Sequence, residues 1–448
     1  MTNKTPPSNK LLITLGVSLL GAAAMVGGMQ KYRDHSARER VREVLDSGGS
    51  LGKIHRLFRS SRPADRARAK RLQKDCDEWF AEVLARNPGL EPDWRPVPDE
   101  ENGFLQLLDF AESKRVDGSS HDETLALPED LFALISGNED WDHDRAAAGL
   151  SEHQDLLSEI TRLGLLPRQS SAGIAVDRYS FVGARLYKQC CDLLMADARL
   201  AAEEGDADRA LLRVRATLGI ADHLSKIETP SLLMETVSIL VRLAVDNQVL
   251  PTILPALQPE SDTLSDWQAV MAKVRPEPAD FAKVLRGEAY VSIRGLAIPL
   301  LVENREKLSK HEIPDADAFL DAAAGTLLDH AKQVEGATIG SLSRALSPEP
   351  IETPPHLSPG AQEAYEMFYI GAKAWSRGWS RAASIHTRTD AAFAIMAGTE
   401  PPAEPITGLA FSYDAENRTL THPDDPRLKL ISTEPVTLPR HPYPASGS

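Results

Sequence analysis

His386 and Asp390 stand one helical turn apart in the stretch Ser384-Ile385-His386-Thr387-Arg388-Thr389-Asp390. An imidazole and a carboxylate at that spacing could serve as a general base and the group that orients it. No G-x-S-x-G elbow accompanies them, so no nucleophile is marked. The densest polar run is Glu139-Asp140-Trp141-Asp142-His143-Asp144. Carboxylates with one imidazole are donors for a divalent cation. On a helix, however, 140 and 144 would share a face and 142 would point away. The glycine and terminal glutamate of a calcium loop are also missing. An exposed acidic loop is the expectation, with no metal and no cofactor.

Gly48-Gly49-Ser50-Leu51-Gly52-Lys53 resembles a phosphate loop, but it is one residue short between glycines and has Ile54 where a hydroxyl should hold magnesium. Ser50 and Lys53 match an S-x-x-K nucleophile pair, yet K-T-G is absent. Both read as flexible linker. Glu288 follows Gly287 inside an apolar helical stretch, where a buried carboxyl needs a raised pKa or a cationic partner such as Arg286 or Arg294. Phe368, Trp375, Trp379 and Phe393 form an aromatic stripe, which reads as a packed seam rather than a ligand groove. No H-E-x-x-H, no G-x-G-x-x-G and no zinc-type Cys/His spacing occurs. The catalytic residues are therefore unknown from sequence.

The elements that must carry these residues are helical. Alanine and leucine are abundant, and aromatic content is only 6% over 448 residues. The sequence predicts a helix from Pro63 to Arg86, stopped by Asn87-Pro88-Gly89, and a second from about Asp99 to Arg115. Pro128 opens a short helix, and Ser151 to Gln154 reads as a capping box. From Ala184 to Leu250 three amphipathic stripes follow one another. They are broken at Gly205-Asp206 and capped at Thr229-Pro230, so they must lie against their neighbours. Later helices run from Asp262 to Val274, from Ala279 to about Leu296, and from Pro314 to about Glu335. The longest runs from Ser358-Pro359 to about Ala397. Beyond Pro405, alternation at Leu409, Phe411 and Tyr413, a turn at Asp414 to Asn417, then Thr419-Leu420 and Leu428 to Ile431 predict two or three short strands.

Leu11 to Met29 contains no charged residue. As a helix its nineteen residues span about 28 Å, close to the hydrocarbon thickness of a bilayer. It reads as a transmembrane anchor. Ala22 and Ala24 also fit the end of a cleaved export signal. From Lys31 to Lys74 there are 14 Lys/Arg against 5 Asp/Glu, while the whole chain carries -15. A basic collar thus follows the anchor and suits anionic lipid headgroups. The body beyond it is strongly acidic and argues against nucleic acid as a partner. A count of positive charges would keep the body inside the cell, whereas the short positive N-tail resembles an export signal. The expectation is a body on the periplasmic or extracytoplasmic side. Cys76, Cys190 and Cys191 give no disulfide framework and no metal spacing.

The segment from Ala198 to Leu224, with Gly205, Asp206 and Ala210, resembles one tetratricopeptide-type helix pair, though no second copy repeats at the required interval. The wider chain is similar to uncharacterised bacterial membrane-anchored helical proteins. Those carry an L-x-G-E segment, here Leu285-Arg286-Gly287-Glu288, and a C-terminal P-[FI]-[ST]-G hairpin, here Pro405-Ile406-Thr407-Gly408 with Tyr413. The resemblance implies an outward-facing helical protein and marks no catalytic residue.

The expected organisation is an N-terminal tail (1–10), an anchor (11–29), a basic juxtamembrane segment (30–62) and a helical domain (63–346). A Pro-rich linker (347–359), a long helix (360–397) and a short β segment with a tail (398–448) complete it. The expected function is a scaffold or protein-interaction module of the cell envelope with a protein partner. An envelope hydrolase using a carboxylate/His site in a helical cleft is the alternative.

Overall fold

The computed structural model describes residues 57, 62–114, 124–179, 184–257, 261–272, 277–303, 313–345, 359–429 and 435–439. The anchor, the part of the basic collar before residue 62 apart from residue 57, with Ser50 and Lys53 in it, and the Pro-rich stretch up to Ser358 lie outside them.

The described chain is mainly helical, with a small antiparallel sheet near its C-terminus. It divides into two compact units, each built from interrupted stretches. One draws on residues up to 87, 296–326 and 351–371; the other takes 88–295, 327–350 and 372–448.

In the first unit, α1 (Pro63–Arg86) starts with proline in its first turn and buries Leu72, Cys76, Phe80 and Val83 along one face. Its far end is fixed to the start of α12 (Ile313–Glu335) by Trp79 Nε1 donating to Asp317 at 2.9 Å and by an Arg86–Asp321 ion pair at 2.8 Å.

The second unit begins with α2 (Gly103–Ser113), α3 (Glu129–Ile135), α4 (His143–Ser151) and α5 (Gln154–Gly164). Ser151 closes α4 instead of opening a capping box. The next helix starts at Gln154 without a side-chain cap, because the chain reverses within two residues. Three long helices follow: α6 (Ala184–Glu203), α7 (Ala207–Ser225) and α8 (Leu232–Gln248). The α6–α7 turn uses Gly205 at φ +79° and an Asp206 side chain that accepts from Arg209 N. The cap of α8 is Ser231, one residue beyond the predicted Thr229-Pro230, and its hydroxyl accepts from Met234 N. α6 and α7 share the largest packed face, followed by α7 with α8 and α7 with α5. At the α5–α7 crossing a Cβ on Gly219 would lie 1.7 Å from Gly164 O, and one on Gly164 would lie 2.1 Å from Ala216 O. Only glycine permits that approach.

α8 continues through a π-helical turn, Val249–Ile253, into Leu254–Leu257. Leu232–Leu257 is long and apolar enough to cross a membrane by length and composition, but two-thirds of its apolar window is buried against other helices. It is a core helix here. α9 (Ser261–Ala272), α10 (Pro278–Val291), α11 (Ile298–Glu303, in the first unit), α13 (Ile339–Ala345) and the 38-residue α14 (Pro359–Met396) are the remaining α-helices among the described residues.

Among the described residues of the second unit, two apolar clusters stand out. One gathers Phe104, Leu134, Leu157, Leu194 and Leu224; the other gathers Val214, Val249, Trp267 and Phe393 with Phe411 and Leu420. The sheet has β1 (Ser412–Asp414) and β2 (Thr419–Thr421) paired Tyr413 to Leu420, and β3 (Val436–Thr437) beyond β2. The predicted strand at Leu428 to Ile431 is not formed at its start. Pro426–Leu428 is a 3₁₀ turn, since Asp425 caps Arg427 N and Pro426 suits a first helical position.

Candidate functional site

His386 sits on α14, and the structure gives it a different acid from Asp390. Its Nδ1 lies 2.7 Å from Asp246 Oδ2, at the end of α8, with both side chains at most 4% exposed. Sequence spacing could not find this partner, which is 140 residues away along the chain. The other ring nitrogen and Asp246 Oδ1 are buried without a hydrogen-bonding partner among the described residues. Asp246 belongs to a polar row on α8. Glu235, Ser238, Arg242 and Asp246 recur at three- and four-residue spacing, and all are buried. Arg242 donates to Asp222 Oδ1 at 2.8 Å and to Ser225 Oγ at 2.9 Å, both on α7. Burial pushes the Glu235 carboxyl up to about 7. Trp379, one helical stretch before His386, stacks on Phe281 of α10 at 5.7 Å. Trp379 and Phe393 are fully buried, so this part of the aromatic stripe is a packed seam. The side chain of Phe368 lies outside the described residues.

Glu288 does not bind an arginine. Its Oε2 accepts from Leu232 N at 2.7 Å, its Oε1 accepts from Ser292 Oγ, and Arg286 turns outward to Glu335 at 2.7 Å. Burial raises its pKa. Leu232 is the first residue of α8, so the carboxylate meets an N–H that the helix leaves unpaired. Gly287 makes the meeting possible, because a Cβ there would lie 2.2 Å from Pro230 O. Leu285 is fully buried. The L-x-G-E segment is thus a clasp that holds α10 against the α7–α8 turn.

The same turn is gripped from its other side. Glu228 accepts from Ser171 N at 2.7 Å and from the Ser170 hydroxyl at 3.0 Å. Thr229 Oγ1 meets Ser171 Oγ at 2.9 Å and Tyr179 OH at 2.8 Å. Asn102 bridges Ser170 through both its amide atoms. His223 fits against Gly103 and meets Leu163 O through Nε2 at 3.1 Å; burial pushes its pKa down to about 4. Nothing in composition or periodicity marked Ser170, Ser171 or Glu228, and Thr229 was marked only as a helix cap, because each of these bonds joins segments at least 50 residues apart.

Glu404 organises the turn at Pro405-Ile406-Thr407-Gly408. Its carboxylate accepts from Ile406 N at 3.0 Å, Thr407 N at 2.7 Å and the Ser384 hydroxyl of α14 at 2.6 Å, and Gly408 takes φ +73°. The turn is bound to the long helix by a buried carboxylate.

The acidic run at 139–144 is partly ordered by its own chemistry. Asp142 caps α4 through Arg145 N, and Glu139 pairs with Arg145 at 3.0 Å. Trp141 Nε1 and His143 Nδ1 both reach Glu203 Oε2 of α6 at 3.0 Å. That bond raises the His143 pKa. Among the described residues no group of three or more His, Cys, Asp or Glu is arranged to hold a metal ion. Cys76, Cys190 and Cys191 are buried.

No family model, curated protein or solved structure matches this chain.

Proposed function

We propose that this protein is a membrane-anchored helical scaffold of the bacterial cell envelope, held by residues 11–29 and offering its helical body to a protein partner. The observation that carries the reading is the use made of the chemistry-bearing residues. His386, Asp246, Glu288, Glu228 and Glu404 all bind helix to helix or helix to turn within the protein. The His386 and Asp246 side chains are 4% and 1% exposed, so a substrate could reach them only by parting the helices. The hydrolase alternative has no comparable support. The basic collar supports apposition to anionic lipid, and the acidic body supports a partner other than nucleic acid.

Membrane fractionation and a C-terminal reporter test this directly. The full chain should remain in the membrane fraction after alkaline carbonate washing, and an alkaline phosphatase fused at Ser448 should be active in intact cells. Recovery in the soluble fraction with residues 11–29 retained would remove the anchor. A reporter active only inside the cell would reverse the orientation. Crosslinking in native membranes should capture a partner at constant stoichiometry, and capture of none would sink the scaffold role.

A further inference from the structure

A half-open pocket of about 200 Å³ lies between α3, the 139–141 loop, α6 and the π-helical turn that follows α8. Leu134, Ile135 and Ala196 form its apolar floor, and Trp141, Arg199, Gln248 and Thr252 supply its remaining wall, with Glu139 at one side. None of the residues that carry the scaffold reading lines it, and a ligand here would bind whether or not the protein is a scaffold.

The Arg199 guanidinium is held in place before any ligand arrives. It lies 4.3 Å from the Trp141 ring centroid, face on, and its Nε donates to Glu203 Oε1 at 3.0 Å. Glu203 is itself fixed by Trp141 Nε1 and His143 Nδ1 on its second oxygen. The two terminal nitrogens of Arg199 have no hydrogen-bonding partner among the described residues, and neither do the side chains of Gln248 and Thr252. The π-helical turn begins directly after Gln248 and contains Thr252, and such turns recur where a helix is shaped around a ligand. Donor side chains and three apolar side chains thus line one opening.

We propose that this pocket binds a small monocarboxylate carrying a short, branched apolar tail. The carboxylate would take the free side of the Arg199 fork together with Thr252 and Gln248, and the tail would lie on Leu134, Ile135 and Ala196. The charge balance selects a monoanion. Glu203 already offsets part of the Arg199 charge, and Glu139 stands at the rim with only Arg145 to compensate it. Arg199 and Arg145 balance Glu203 and Glu139 around the opening, so no surplus of positive charge is left to hold a phosphate dianion. At about 200 Å³ the pocket has room only for a small ligand.

The test is equilibrium dialysis of the full-length protein in detergent with 4-methylpentanoate. The same titration is run with its neutral isostere 4-methylpentanamide and with the tripeptide Ala-Ala-Leu bearing a free or an amidated C-terminus. The expected result is saturable binding of one carboxylate per chain, at least tenfold weaker for each amide. The double substitution Thr252→Val with Gln248→Leu removes donors that have no internal role. It should weaken binding at least tenfold at an unchanged melting temperature, and Arg199→Gln should do the same or more. Tighter binding of the tripeptide would identify the carboxylate as a polypeptide chain end, and tighter binding of 4-methylpentanoate would identify a free acid; both sustain the proposal. No saturation with any carboxylate, equal affinity for acid and amide, or full affinity in the Thr252/Gln248 variant overturns it.

Discussion

Replacing Gly219 by alanine should destabilise the second unit, although the substitution adds a better helix former to the middle of α7. Two effects oppose each other. Alanine in place of a helical glycine gains about 1 kcal/mol in propensity. Against it, the new Cβ would lie 1.7 Å from Gly164 O and 2.8 Å from Gly164 C, so the helices must part by roughly 1.3 Å to reach the closest tolerable contact of 3.0 Å. Both sides of that contact are main chain, and no side-chain rotation relieves it. Overpacking costs about 1–3 kcal/mol in ordinary cores, and a backbone clash belongs at the upper end or beyond. A net loss of about 2 kcal/mol follows. Gly378 supplies the control, because it lies inside α14 with nothing within 4 Å of its would-be Cβ. Gly378→Ala should gain up to about 1 kcal/mol. The two variants, identical in chemistry, should therefore melt apart by on the order of 5–10 °C, followed by the helical circular dichroism of the full-length protein in detergent. A Gly219→Ala protein that melts at or above the parent would refute the close crossing of α5 and α7.

Glu235 sets a pH dependence. Its folded pKa is raised to about 7 from 4.5, so the folded chain keeps a proton that the unfolded chain releases. Stability from this group is present below about 4.5 and lost as pH rises through 7. Glu235→Gln, facing the same Arg242, Asp222, Lys226 and Asp280, should gain up to about 3 kcal/mol over the parent at pH 8 and almost nothing at pH 4 in parallel urea titrations. A difference that does not change with pH would show that the carboxyl ionises freely in the fold. Glu404→Ala should cost about 2–4 kcal/mol, because Ile406 N, Thr407 N and the buried Ser384 hydroxyl then lose their shared acceptor. Limited proteolysis should open the segment between Gly398 and Leu409 while the helical signal stays constant, and unchanged protease resistance would contradict the assigned role of Glu404.

How much of the fold is legible in the residues depends on the range of the interaction. Local signals read well. Pro63 and Asn87-Pro88 bound α1, Gly205-Asp206 turns α6 into α7, and Pro359 starts α14, each through backbone chemistry contained in a few residues. The capping box at Ser151 fails because a motif of four residues cannot show that a preceding helix already occupies its first position. The third strand lies elsewhere than expected for a related reason: β3 pairs with Thr419 and Leu420 across a gap that periodicity does not bridge. The candidate site is the least legible part. His386 stands out in the sequence, but its acid comes from another helix, and Glu288, expected to have a raised pKa or a cationic partner, has the raised pKa and a main-chain N–H for a partner. Arg199 and Thr252 carry no motif at all. They become a site only because a π-helical turn and a stacked tryptophan bring them to one opening.

The interleaving of the two units has a consequence for how the protein is made. Each unit recruits chain from three separate stretches, and the last stretch of the second unit begins at Ala372. His386, Ser384, Glu404 and the small sheet all come from it. A ribosome has therefore released most of the polypeptide before the polar row of α8 can meet its partner on α14. Until then Asp246 and the apolar faces around Val249 and Trp267 wait uncovered. A premature stop before Ile351 would leave both units unfinished, so an early nonsense mutation should yield an aggregation-prone fragment instead of a smaller working domain.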